Sequence, residues 1–112
     1  MKIAVIGSRG FTDALLLSQT LDAIPDKKMI VSGGARGADQ LSEAYAKERG
    51  LETKIFLPDY EKFGRGAPIR RNELIVQEAD LVIAFWDGTS RGTNHAISKA
   101  KTLGKEVRVI KF

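Results

Sequence analysis

Three short segments hold most of the residues in this chain that could do chemistry. They are Gly7-Ser8-Arg9-Gly10, Ser32-Gly33-Gly34-Ala35-Arg36-Gly37-Ala38-Asp39 and Gly88-Thr89-Ser90-Arg91-Gly92-Thr93, and each follows a short apolar run. Glycines let a backbone turn sharply and approach a bound group with no Cβ in the way. A helix start just beyond such a loop presents unpaired N–H groups and the positive end of its dipole, an arrangement suited to an anion such as phosphate. Arg9 and Arg36 can add guanidinium groups and Ser8 a hydroxyl, hydrogen-bonding phosphate or ribose. Asp39 suits either a ribose hydroxyl or the dipole of its own helix, and Thr93 caps or opens the last helix.

Further candidates lie outside these loops. Arg70-Arg71-Asn72 opens a helix with a basic pair, which opposes the helix dipole at a cost of up to about 1 kcal/mol and is easier to understand if an anion sits there. Asn72 offers an amide to a base or ribose edge. Trp86 serves equally as core filling or as a flat face for a base. Asp87, at the carboxyl end of an apolar run, is placed to be a functional carboxylate, and His95 is the chain's one histidine, a residue type suited to acid–base chemistry. These two are the catalytic candidates if the site turns a ligand over.

The elements that must position these residues follow from pattern. Ile3–Ile6 is a continuous apolar run, the mark of a strand buried on both faces, Met29–Val31 is the second strand, and Asp80–Phe85 is the clearest buried strand in the chain. Thr53–Leu57 and Glu106–Ile110 read as two further strands. Helical spacing covers 14–24, with Thr12 or Asp13 as cap, then 38–49 with Gly50 as a left-handed stop, 69–79, and 93–103 with Gly104 as its stop. Pro58–Pro68 is an irregular connector, long enough to suggest a binding loop. The alternation predicts one Rossmann-like α/β domain over residues 1–112, a five-stranded parallel sheet flanked by about four helices in three layers, with its ligand at the carboxyl ends of the strands.

Composition agrees with a folded soluble domain: 43% of residues are apolar and 29% charged. Cysteine is absent and there is one histidine, which excludes disulfides, thiolate chemistry and a structural zinc site. The net charge of +4 is spread along the chain, as solvated surface lysines would spread it. No apolar run approaches the ~20 residues of a membrane span, and no leader-like segment opens the sequence, so a cytoplasmic location is expected. A homodimer is a further expectation, from the small size and the aromatic connector.

Taken in order, Ile-Gly-Ser-Arg from Ile6, Ser-Gly-Gly-Ala-x-Gly-x-Asp from Ser32, Arg-Asn at Arg71 and the Ala79-to-Thr93 stretch with Phe-Trp-Asp-Gly-x-Ser-x-Gly-Thr resemble the YpsA-related SLOG proteins. Their superfamily includes the DNA-processing protein A family and the Lonely Guy phosphoribohydrolases. The resemblance runs nearly the whole chain. It implies a Rossmann-like fold and a pocket for a nucleotide-derived ligand, held by Gly7, Ser8, Arg9, Gly33, Gly34, Gly37, Asp39, Arg71, Asn72, Gly92 and Thr93. The phosphoribohydrolases carry a glutamate shortly after their Gly-Thr, whereas here Asn94, His95 and Ala96 follow. The expectations are therefore ordered. First comes binding of a nucleotide-derived small molecule, with Arg36 and Asp87-Gly88 also in the site. N-glycosidic hydrolysis is second and a single-stranded nucleic-acid module third. No metal motif is present, although Mg²⁺ could accompany a phosphorylated ligand.

Overall fold

A computed structural model describes residues 1–112. Five strands, β1 (Lys2–Gly7), β2 (Met29–Ser32), β3 (Glu52–Ile55), β4 (Leu81–Trp86) and β5 (Glu106–Lys111), form one sheet in the order β3-β2-β1-β4-β5, and every pairing is parallel. The long helices are α1 (Ala14–Asp22), α2 (Ala38–Arg49), α4 (Ala67–Glu78) and α5 (Arg91–Thr102). The connector is more ordered than its sequence suggests. It contains a single-turn helix, α3 (Tyr60–Phe63), and a 3-10 turn, Gly64–Gly66, and α4 begins two residues earlier than the spacing indicates.

Alternation along the two central strands separates the core into two halves. Ile3, Val5, Ile83 and Phe85 face α1 and α2, packing with Phe11, Leu17, Leu21 and Tyr45. Ala4, Ile6, Val82 and Ala84 face α4 and α5, packing with Ile75, Val76, Ala96 and Ile97. β1 and β4 are buried on both sides because helices cover both, which is why they read as unbroken apolar runs. β3 is an edge strand exposed along its whole length, and it carries Glu52 and Lys54, charged residues that discourage edge-to-edge pairing.

Local chemistry sets the helix ends. The Asp13 carboxylate accepts from the Leu16 N–H at 3.0 Å and caps α1. Gly50, with φ of 69°, stops α2, and Gly104, with φ of 75°, follows α5. No helix is long and apolar enough to cross a membrane.

The strand order reverses between β1 and β4. In open parallel sheets, ligands bind just outside the carboxyl ends of the strands at such a point. The loops after β1 and β4 are two of the three glycine-rich segments.

Candidate functional site

A cavity of about 420 Å³ opens at this switch point, within the size range of small-molecule sites. Gly7, Ser8, Arg9 and Gly10 form one wall and Asp87, Ser90, Gly92 and Thr93 another; Ala35 and Asp39 come from the β2–α2 connection, and Pro68, Arg71 and Asn72 from α4. Three helix starts, those of α2, α4 and α5, converge on one polar space. Their N–H groups and dipole ends favour negative charge there.

The two loops at the switch point are bonded to each other. The Ser8 N–H donates to the Phe85 carbonyl at 2.9 Å, and the Asp87 N–H donates to the Ser8 hydroxyl oxygen at 3.2 Å. Asp87 orders its own turn by accepting from the N–H groups of Thr89 at 2.9 Å and Ser90 at 2.8 Å. Those bonds favour its charged form, so its pKa falls below the ordinary value and the group is a carboxylate at neutral pH.

Asp39 behaves in the opposite way. It is 6% exposed, and burial pushes its carboxyl up to about 6, against the pull of the Ala35 and Gly33 N–H groups and the Arg71 charge. One oxygen, Oδ2, accepts from both N–H groups at 3.2 Å and fixes the Gly33–Ala35 loop.

Arg71 is 8% exposed. Its Nη1 donates to the Gly33 carbonyl, and its Nε donates to Asn72 Oδ1 at 2.9 Å. Burial lowers its pKa and the Asp39 charge opposes that shift, but a guanidinium remains charged. Gly33 has a role that its loop motif does not reveal: a Cβ there would lie 2.8 Å from the Arg71 side chain Cζ. This glycine makes room for the arginine from α4. Gly37 makes room for the β1 loop, since its Cβ would meet the Ser8 and Arg9 carbonyls at 2.7 and 2.9 Å.

Of the residues singled out in the sequence, Gly7, Ser8, Arg9, Asp39, Arg71, Asn72, Asp87, Gly92 and Thr93 come together around the cavity. Gly33, Gly34, Arg36, Gly37 and Gly88 shape or flank its loops without lining it. His95 lies outside it, on α5 facing α4, where Nε2 stands 3.4 Å from Glu73 Oε2. Trp86 is engaged elsewhere: its indole N–H donates to the Ser90 carbonyl at 3.0 Å, and Lys111 sits 5.5 Å above its ring. Ile6, Gly10, Ala35, Pro68 and Ser90 are wall residues that residue-type reasoning passed over. Gly10, Ala35 and Ser90 belong to the glycine-rich motifs, while Ile6 and Pro68 carry no chemical signal. No group of three histidine, cysteine or carboxylate side chains could hold a metal ion.

Fold and cavity place the molecule among Rossmann-like α/β domains with a polar site at the β1/β4 switch point. The model of the YspA, cpYpsA-related SLOG family matches residues 1–63, and the chain belongs to that family. Gene 61 protein of Mycobacterium phage D29 is 31% identical over 121 residues, covering 99% of this chain and 95% of that protein. Among solved structures, DNA processing protein A from Streptococcus pneumoniae superposes with a TM-score of 0.84 at 20% identity over 99% of this chain. The Helicobacter pylori protein of that name, whose structure describes a single-stranded DNA binding mode, gives 0.75 at 23% identity over 97%. This chain spans 50% and 64% of those two chains.

Proposed function

We propose that this domain binds a nucleotide-derived ligand with its sugar-phosphate part in the switch-point cavity. The observation that carries the reading is the convergence on one space of three helix starts, the Arg9 and Arg71 guanidiniums, and the hydroxyl, amide and carboxylate groups of Thr93, Asn72 and Asp39. Phosphate suits the α5 start and the arginines; ribose hydroxyls suit Asp39 and Asn72. Arg9 has no acidic partner within ion-pairing distance, so its charge is free for a ligand. A polyphosphate would bring any Mg²⁺ with it.

AMP at about a hundred times its Kd should stabilise the fold by roughly 2.7 kcal/mol, a shift of several degrees in a thermal melt. Arg71→Ala should weaken AMP binding by about 1–3 kcal/mol, the scale of a charge-assisted hydrogen bond. Arg9→Ala should weaken it while leaving the melting temperature of the free protein unchanged, because Arg9 is exposed and makes no ion pair. Titration calorimetry checks both, and an AMP affinity indifferent to both arginines overturns the assignment.

A second reading is hydrolysis of the N-glycosidic bond. It is favoured by two carboxyl groups on one cavity whose environments push them apart, Asp39 up to about 6 and Asp87 below its ordinary value. Protonated Asp39 would donate to the leaving base, and Asp87 would stabilise positive charge at the sugar carbon that water attacks. Asp87→Asn should then abolish release of free base from AMP, measured by chromatography. AMP recovered intact from the wild type refutes it. A third reading, single-stranded nucleic acid, draws support from the H. pylori structure and from Arg36, Arg65 and Arg91, which are exposed and without acidic partners on the loop side of the sheet. It requires an affinity that falls steeply with salt.

A further inference from the structure

Two buried side chains of opposite charge on the cavity wall are tied to the same residue, Gly33. Asp39 of α2 and Arg71 of α4 are both buried, and both line the cavity. The Gly33 N–H donates to Asp39 Oδ2 at 3.2 Å, and the Gly33 carbonyl accepts from Arg71 Nη1. The same Asp39 oxygen accepts from the Ala35 N–H at 3.2 Å, so the carboxylate pins the loop on both sides of Gly34. Arg71 is held at a second nitrogen as well. A guanidinium nitrogen can only donate, and Nε donates to Asn72 Oδ1 at 2.9 Å.

The seat for the guanidinium is close-fitting. A Cβ on Gly33 would stand 2.8 Å from both Cδ and Cζ of Arg71. Gly33 is not among the glycines of positive φ, so room for the arginine, and not backbone conformation, keeps this position bare. An arginine that moves freely loses much rotamer freedom when it grips an anion. One that is held beforehand loses little, and binding is stronger for it.

Resting on the nucleotide reading of the cavity, we propose that Asp39 is a positioning residue for Arg71: acting through Gly33, with Asn72 holding Nε, it fixes the guanidinium before the ligand arrives. Asp39 Oδ1 and Arg71 Nη2 make no hydrogen bond within the chain. They remain as one acceptor and one donor, joined by a single residue. That pair suits a ligand with a hydroxyl and an anionic oxygen near each other, as a sugar phosphate has.

Nitrogen–proton correlation NMR on the full chain without ligand tests the positioning directly. In the wild type at neutral pH the Arg71 Nε–H should give a distinct, slowly exchanging signal, assigned by its loss in Arg71→Ala. Asp39→Ala should broaden it or speed its exchange with water. Gly33→Ala should do the same, because it leaves both charges in place and fills the seat. Asp39→Asn keeps an oxygen for the Gly33 and Ala35 N–H groups and should preserve the signal. Calorimetric titration with AMP then reads the consequence. Asp39→Ala should weaken AMP by about 5- to 150-fold, the range for losing one hydrogen bond to a charged group. Combined with Arg71→Ala, the loss should fall well short of the product of the two single losses, because one residue acts through the other. Losses that multiply, or an Arg71 signal indifferent to both Asp39→Ala and Gly33→Ala, overturn the positioning role while the cavity reading stands. If AMP fails to bind the wild type, the nucleotide reading fails, and the Arg71 signal still decides whether Asp39 holds the guanidinium.

Discussion

Gly37→Ala should cost roughly 2–6 kcal/mol of stability and disable the site with it. Gly37 has φ of 85° and ψ of −130°, a region that residues with a Cβ reach only at about 1–3 kcal/mol. The added methyl would also stand 2.7 Å from the Ser8 carbonyl oxygen and 2.9 Å from that of Arg9. Both obstacles are backbone and cannot rotate aside, so the start of α2 and the β1 loop must separate, with an overpacking cost of about 1–3 kcal/mol more. Because a domain is stabilised by only about 5–15 kcal/mol in total, this is a large share. The separation also displaces Arg9, Gly10 and Asp39, which share the cavity. Gly10→Ala is the matched control: it lies on the same wall, and a Cβ there meets nothing within 4 Å. Thermal melts should show a fall of many degrees for Gly37→Ala and none for Gly10→Ala. Equal melting temperatures would mean that the two loops are not packed against each other as described.

The contrast between these glycines shows what the sequence makes legible. Glycine-rich loops after apolar runs mark the carboxyl ends of strands, so their convergence is foreseeable from the alternation of elements. Their separate duties are not. Gly33 is kept bare by Arg71, thirty-eight positions away, and Gly37 by the loop after β1; a single sequence holds no local trace of either contact. The same limit explains the strand order. Ile3–Ile6 and Leu81–Phe85 announce themselves as central strands through apolar content, but which of β2 and β4 lies on which side of β1 is set by the crossovers. The α3 turn escaped the pattern because four residues have no helical period to display, and Asp59 alone signals its start. His95 and Trp86 drew attention by residue type. Their partners, Glu73 in one case and Ser90 with Lys111 in the other, belong to the tertiary packing.

Asp39 should make the stability of the domain depend on pH in a direction unusual for a carboxylate. In the folded protein its pKa is raised from 3.8 to about 6 because burial penalises the charge. The native state therefore holds this proton more tightly than the unfolded chain. Between about pH 4 and pH 6 the unfolded chain loses the proton first, so stability falls as pH rises through that window and levels off above it. A difference of about 2 units at 1.36 kcal/mol each gives roughly 3 kcal/mol at most. Asn at this position keeps an oxygen for the Gly33 and Ala35 N–H groups and carries no charge. Urea denaturation from pH 4.5 to 7.5 should thus show the wild type losing stability relative to Asp39→Asn as pH rises, and parallel curves would refute the raised pKa. The same pair of proteins reports on the ligand. If ribose hydroxyls donate to Asp39, they favour its ionised form, and AMP affinity should rise from pH 5 to pH 7 in the wild type more than in Asp39→Asn. If the phosphate lies against Asp39, like charges repel and the difference takes the opposite sign. Phosphate titrates near pH 6 itself, but that contribution is common to both proteins and cancels in the comparison. The sign of the difference therefore orients the ligand within the cavity, with hydroxyls or phosphate at the start of α2.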